Sequence, residues 1–173
     1  MSCNFNQVVF TDETAICVSQ RGSQYVRRGS GQRLRWQDLS LRTSSPQKVM
    51  FWGCFSFMGV GPLHLCQGSV NSQYYISILD SCILPQTANW YGNSNWILLQ
   101  DNAPCHNSKM TKEWLQNHQI EVMNWPANSP DLNPIENMWG YIKQKLLRVG
   151  SHSKVDLINN VKKFWNKKTF VRH

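Results

Sequence analysis

The sequence predicts an α/β protein in which helices cover a mixed sheet. Short runs of β-branched and aromatic residues are followed by longer segments whose apolar residues recur every three or four positions. The predicted strands come first as a meander and then alternate with helices, which is the order of a mixed sheet flanked by helices. A chain of 173 residues can bury a core of useful size, so one domain over 1–173 is expected.

The clearest buried strand runs from Trp96 to Gln100. It carries no charge, and four of its five residues are large and apolar, which suits a strand covered on both faces. Asp101 follows directly, and Pro104 cannot continue the ladder because it has no N–H. An acid at the tip of a buried strand can hold a metal ion, although an Asp that starts a turn explains the same pattern.

Other elements are expected on either side of this strand. The first strand, Val8 to Thr11, also ends in an acid, Asp12, and residues 15–19 are expected to pair with it across a turn at 12–14. The later elements follow in chain order: strands over 48–57 and 62–66 joined by a glycine turn at 59–61, a helix from Asn71 to Pro85, a polar loop over 87–95, a helix from Ser108 to about 118, a short strand over 120–124, a proline-rich loop over 126–134, and helices over 134–149 and 153–164.

Glu136 is a third acid of interest. Asn133 is expected to cap a helix whose first residue is Pro134, which puts Glu136 at the third helical position. A glutamate there can close a capping box back onto Asn133. It also lies on the flank of the helix's apolar stripe, where a carboxylate can reach past the edge of a covered sheet.

The charge is strongly basic and unevenly distributed. The formal net charge is +8, and the excess of Lys and Arg lies in 21–48 and 143–172. Basic zones around an acid-bearing middle indicate a polyanion partner, with nucleic acid as the leading candidate, although a generic solvated surface explains the charge as well. The segment 20–47 is rich in Gly, Arg and Ser and is long for a loop in a compact domain.

Cysteine usage and hydropathy bear on the compartment. The six cysteines include no C-x-x-C pair, and no signal peptide is visible at the start, so a reducing intracellular compartment is expected. Residues 49–79 contain no charged side chain, but Gly and Pro at 59–62 interrupt them. Two strands explain this stretch better than a membrane-spanning helix, so no membrane partner is expected.

The three acids stand within a longer series of motifs, and together these resemble the Tc1-like branch of the Tc1/mariner DNA transposases. Asp12, Asp101 and Glu136, with 34 residues between the last two, resemble the catalytic triad of that family. The likeness runs from about Val8 to about Phe164. The matching segments are Phe10–Glu13, Trp52–Ser56, Gly59–Leu63, Gln100–Pro104 and Trp125–Asn137.

The resemblance implies a ribonuclease-H-like fold, with the first and fourth strands side by side. It implies catalytic and metal-binding roles for Asp12, Asp101 and Glu136. Three acids around one point raise each other's pKa, a conflict that divalent Mg²⁺ or Mn²⁺ removes. In the family, a two-metal site serves strand cleavage at transposon ends and then attack of the freed 3′ hydroxyl on target DNA.

The resemblance also implies DNA contacts, a homodimer on DNA and a nuclear location. Residues 20–47 would form a basic arm that contacts DNA and a second subunit. His106 would orient DNA or a water near Asp101, although a capping or buried structural histidine is an equal alternative. The helix-turn-helix modules of the family are not visible ahead of the acid-bearing core. The residues expected to contact DNA are Arg21, Arg27, Arg28, Arg33, Arg35, His106 and Lys143.

Two other functions remain open on the sequence. One is a transposon-derived DNA-binding or scaffold protein that kept the fold and lost catalysis. The other is a plain nuclease or ribonuclease H of the same fold. Metal-dependent nicking of plasmid DNA separates the enzymes from the scaffold, and hybrid versus duplex substrates separate the enzymes from each other.

Overall fold

A five-stranded mixed sheet forms the centre of the computed structural model, which describes residues 5–18, 47–123 and 133–167. The strand order is β3-β2-β1-β4-β5. β1 pairs with β2 and β2 with β3 in antiparallel fashion, whereas β1–β4 and β4–β5 are parallel. The strands are β1 Val8–Cys17, β2 Lys48–Ser56, β3 Gly59–Cys66, β4 Ile97–Leu99 and β5 Glu121–Val122.

Helices cover both faces of the sheet, as predicted. Along β1 the side chains alternate, so Phe10 packs with the helices of one face and Val9 with those of the other. Trp139 and Trp165 belong to the first core, and Tyr75 and Leu115 to the second. The helices are α1 Ser72–Ile78, α2 Leu84–Tyr91, α3 Pro104–Asn107, α4 Lys109–Asn117, α5 Pro134–Val149 and α6 Lys154–Trp165.

The predicted hairpin within residues 8–19 is wrong. β1 is one continuous strand that pairs with β2 from Val9↔Ser56 to Cys17↔Lys48. Asp12 lies opposite Gly53 in this ladder, so the turn tendency of an aspartate is overridden by the pairing of nine consecutive residues. Asp12 is therefore in the middle of a strand, and the predicted arm over 20–47 lies mostly outside the described residues.

The predicted end of the helix at Pro85 is also wrong. A π-helical turn, Leu79–Ile83, joins α1 to α2, and the Leu84 N–H donates to the Leu79 carbonyl. The wider turn brings Pro85 into the first turn of α2, where its missing N–H is not needed. Residues 87–91 of the predicted polar loop are thus helical, and α2 ends at Tyr91, before Gly92, whose φ is 58°.

The other boundaries are close to their predicted positions. Four side chains accept backbone N–H bonds at the starts of α1, α4, α5 and α6, namely those of Asn71, Ser108, Asn133 and Ser153. The β2–β3 turn lies at residues 57–58, two positions before the predicted glycine turn. Most of the loop predicted over 126–134 is outside the described residues. No helix in the described ranges is long and apolar enough to cross a membrane.

Candidate active site

Asp12 and Asp101 lie beside each other because β1 continues where β4 stops. The parallel register pairs Val8 with Ile97 and Phe10 with Leu99. Extending it by two residues brings Asp12 level with Asp101, on strands about 4.8 Å apart. The Thr11 hydroxyl donates to the Leu99 carbonyl at 2.9 Å and fixes this junction.

The first turns of α5 bring Glu136 to the same place. The Asn133 amide donates to the Thr11 carbonyl at 3.4 Å, and the Trp139 indole N–H donates to Oδ2 of Asp12 at 3.1 Å. At 100° per residue around the helix axis, position 136 points midway between the directions of Asn133 and Trp139. Glu136 is exposed, and the hydrogen bonds of Asn133 and Trp139 hold this part of α5 against residues 11 and 12 of β1.

The pKa of Asp12 reflects the nearby acids. Burial, followed by the charges of Glu136, Glu13 and Asp101, raises the pKa of Asp12 to about 7, while a bond from the Glu13 backbone N–H opposes the rise. Each predicted acid therefore acts on the Asp12 carboxyl. An uncompensated negative charge at Asp12 is unfavourable at neutral pH.

Asp101 is held by one of its two oxygens. Oδ1 accepts from the Ala103 N–H at 2.9 Å and contacts Nδ1 of His106 at 2.6 Å. The His106 bond is the main cause that lowers the pKa of Asp101. The side chain is 57% exposed, and Oδ1 makes both of these contacts.

His106 is buried, and this corrects the predicted contact between His106 and DNA. Only 2% of its side chain is exposed, and Nε2 lies 3.3 Å from Oε1 of Glu13. Burial lowers the pKa of His106, but the bonds with Asp101 and Glu13 outweigh it and raise the value to about 10. The geometry agrees with a buried histidine that contacts Glu13 and Asp101.

Comparison with known proteins identifies the family. The family described as DDE superfamily endonuclease matches residues 7–159. The chain belongs to this family. The Tcb1 transposase of Caenorhabditis briggsae is 33% identical over 141 residues, which are 80% of this chain and 51% of that protein. The Tc1 transposase of Caenorhabditis elegans is 30% identical over 160 residues, or 91% of this chain and 58% of that protein.

Solved structures confirm the fold of this DDE endonuclease domain. The catalytic domain of Mos1 mariner transposase superposes with a TM-score of 0.70 at 19% identity, over 95% of this chain and 72% of that one. A Mos1 paired-end complex with the left transposon end gives 0.77 at 21% identity, over 96% and 50%. The ribonuclease-H-like fold and the family resemblance are thus confirmed. The chain spans about half the length of the curated relatives it matches.

The carboxylates of the DDE domain suit an oxygen-preferring divalent cation in their chemistry, and the raised pKa of Asp12 is what a nearby cation would relieve. Within the described ranges, however, no three His, Cys, Asp or Glu side chains are placed so that they could hold a metal ion together. The predicted ligands are therefore within electrostatic reach of one another without forming a complete coordination shell.

The remaining predicted site residues lie at the periphery of the domain or outside its described part. Lys143 is exposed on α5, two turns after Glu136. The five arginines of the predicted arm lie outside the described residues, so their contacts stay predictions: Arg21, Arg27, Arg28, Arg33 and Arg35.

Two residues that sequence reasoning missed shape the site of the DDE domain. Glu13 follows Asp12 in β1 and so faces the opposite side of the sheet, where it meets His106. Trp139 lies among the buried apolar residues of α5, yet its indole N–H donates to Asp12. The alternation of side chains along a strand could have placed Glu13 on the opposite side of the sheet from Asp12. No local pattern, however, indicates that Glu13 contacts His106, which lies 93 residues away in the sequence.

Proposed function

We propose that this DDE endonuclease domain is the catalytic core of a cut-and-paste transposase, performing metal-dependent cleavage and strand transfer of DNA. The observation that carries the proposal is the convergence of Asp12, Asp101 and Glu136 where β4 ends beside β1. Support comes from the transposases among its relatives and from the Mos1 structures with transposon DNA.

In this proposal, each acid has a distinct role. Asp12 and Asp101 would be ligands in the region shared by two Mg²⁺ or Mn²⁺ ions, and Glu136 would be a ligand to one ion only. When bound, such ions activate the attacking oxygen and stabilise the leaving oxygen of an in-line displacement. The chain itself orients Asp12 through Trp139 and fixes the start of α5 through Asn133. Mos1 structures containing Mg or Mn support the choice of metal.

The proposed partner is DNA, both transposon ends and target, bound by a homodimer in the nucleus. The net charge of +8 favours contacts with phosphates. Lys143 and the arginines at 21, 27, 28, 33 and 35 are the proposed contacts. The Mos1 paired-end complex, in which a related fold is bound to a transposon end, supports this assignment.

One observation favours a second function, a transposon-derived DNA-binding or scaffold protein without catalysis. The three acids do not form a closed metal-binding group within the described residues. A chain that kept the fold and its basic charge could bind DNA through phosphates alone.

Plasmid nicking tests the proposal. Asp12→Asn and Asp101→Asn should each abolish nicking in Mn²⁺ while leaving DNA binding in EDTA unchanged, because only the metal ligands are altered. Asp80→Asn, an exposed acid on the π-helical turn, is the matched control and should nick like the wild type. Unchanged nicking in either site variant refutes the assignment. Salt-sensitive binding by a wild type that never nicks supports the scaffold function.

A further inference from the structure

The His106 ring connects Glu13, in β1, to Asp101, which follows the end of β4. Nδ1 lies 2.6 Å from Oδ1 of Asp101 and 3.2 Å from the backbone carbonyl oxygen of the same residue, and Nε2 lies 3.3 Å from Oε1 of Glu13. Because carboxylates accept hydrogen bonds, both ring nitrogens serve as donors here. The ring therefore bridges the middle of β1 to the end of β4.

The bridge is built into the core. Tyr75 of α1 packs on the His106 ring, with centroids 4.0 Å apart and planes inclined by 39°. The hydroxyl of Tyr75 donates to Oε1 of Gln100 at 2.6 Å, and Gln100 immediately precedes Asp101. His106, Tyr75 and Gln100 are all buried, whereas Glu13 is 17% exposed. A buried and fully bonded ring of this kind keeps one orientation.

The contact also selects which oxygen of Asp101 is available. His106 and the Ala103 N–H both bind Oδ1. With Oδ1 engaged in both contacts, Oδ2 is the oxygen left to bind a ligand. Groups that orient ligand side chains in this way strengthen metal binding without touching the metal.

We propose that Glu13 and His106 are positioning residues: Glu13 holds the His106 ring, and the ring holds Asp101 so that Oδ2 faces the proposed metal site. This inference rests on the proposed function for the metal, but the orientation of Asp101 can be observed without any metal. The competing explanation is an ion pair that only anchors α3 to β1.

Mn²⁺ binding by calorimetry, without DNA, separates the two explanations. His106→Ala should weaken Mn²⁺ binding by about 10–100-fold, the usual effect of removing such a partner. His106→Asn keeps an amide N–H near the position of Nδ1 and should restore most of the affinity. Glu13→Gln keeps the shape and loses the charge, so an intermediate loss is expected. His118→Ala, an exposed histidine on the Trp114 carbonyl, is the control and should bind like the wild type.

A second readout is independent of the metal. Crystals grown in EDTA should show Asp101 with Oδ1 toward residue 106 in the wild type and in His106→Asn, and rotated away in His106→Ala. Wild-type affinity for Mn²⁺ in His106→Ala, or a loss that His106→Asn fails to restore, overturns the proposal. A wild type that neither binds Mn²⁺ nor nicks DNA contradicts the proposed function instead, and the Asp101 orientation still decides the positioning role.

Discussion

The indole N–H of Trp139 donates a hydrogen bond to Oδ2 of Asp12 at 3.1 Å, joining α5 to β1 across 127 residues of chain. Trp139 is itself buried and stacks on Trp165 of α6, with ring centroids 4.8 Å apart. The Trp165 N–H in turn donates to the Gly61 carbonyl of β3 at 2.8 Å. The orientation of one proposed catalytic acid thus depends on packing that reaches across the sheet.

Replacing Trp139 by Phe removes the hydrogen-bond donor and keeps an aromatic ring. Losing a donor to the charged form raises the pKa of Asp12 further, because the carboxylate is less stabilised. We expect the pH midpoint of Mn²⁺ binding to move to higher pH, and the free energy of unfolding to fall by about 1–3 kcal/mol. Calorimetry across pH and urea unfolding measure the two effects.

Trp114→Phe is the matched control for this change. Trp114 lies on α4, which packs on α1 and α3, and its ring stacks on His118. Its removal should leave the pH midpoint of Mn²⁺ binding unchanged. An unshifted midpoint in Trp139→Phe would show that the indole contributes packing only.

Gly53 faces these two indoles from the position opposite Asp12. A Cβ at Gly53 would lie 2.4 Å from Cη2 of Trp165 and 3.1 Å from Cη2 of Trp139. Since both rings are buried and stacked, Gly53→Ala should destabilise the protein by about 1–3 kcal/mol. It should also reduce nicking, because Trp139 is displaced from Asp12.

Gly140 provides the control, because a Cβ there has no atom within 4 Å and the residue is exposed in the middle of α5. Gly140→Ala should raise the free energy of unfolding by about 0.5–1 kcal/mol through helix propensity. Thermal or urea unfolding of both variants tests the pair. Equal stabilities for the two variants would contradict the close packing at Gly53.

Sequence reasoning recovered what local chemistry encodes. The start of α5 is an example. Asn133 caps the helix with its side chain, and Pro134 occupies the first helical position, where the N–H that proline lacks is not needed. The end of β4 is another, predicted at Gln100 and found at Leu99. Both signals lie within a few residues of the feature that they predict.

The failures have a common physical cause, which is that distant partners decide the outcome. Asp12 favours a turn locally, but pairing of β1 with β2 keeps it in a strand. Pro85 normally stops a helix, but a π-helical turn makes room for it. The contacts of Asp12 with Trp139 and of Glu13 with His106 join residues far apart in the sequence, so no periodic pattern of residues predicts them.

The raised pKa of Asp12 predicts a stability cost at neutral pH. The folded pKa is about 7 and the ordinary value is 3.8, so between these values the folded chain holds a proton that the unfolded chain has lost. Stability contributed by Asp12 therefore declines as pH rises from about 4 to about 7. Asp12→Asn removes this titration and should be more stable than the wild type at pH 8 in EDTA, by up to a few kcal/mol.

Urea unfolding at several pH values checks this, with Asp80→Asn, the replacement of an exposed acid outside the site, as the control variant. His106 adds a further decline in both proteins from about pH 6.5 to 10, because its folded pKa is raised to about 10. Mn²⁺ should stabilise the wild type and not Asp12→Asn. A variant no more stable than the wild type at pH 8 would mean that the Asp12 carboxylate is not under strain.

Lys143 tests the proposed path of DNA along α5. It lies seven residues after Glu136, on the same side of the helix and about 10 Å further along its axis. A phosphate contact there predicts that Lys143→Ala weakens DNA binding regardless of sequence and reduces the slope of log K against log salt by about 0.9. Lys112→Ala removes an exposed lysine from α4 on the other face of the sheet and should leave the slope unchanged. Binding titrations at several salt concentrations measure both, and equal slopes for the two variants would move the DNA path away from α5.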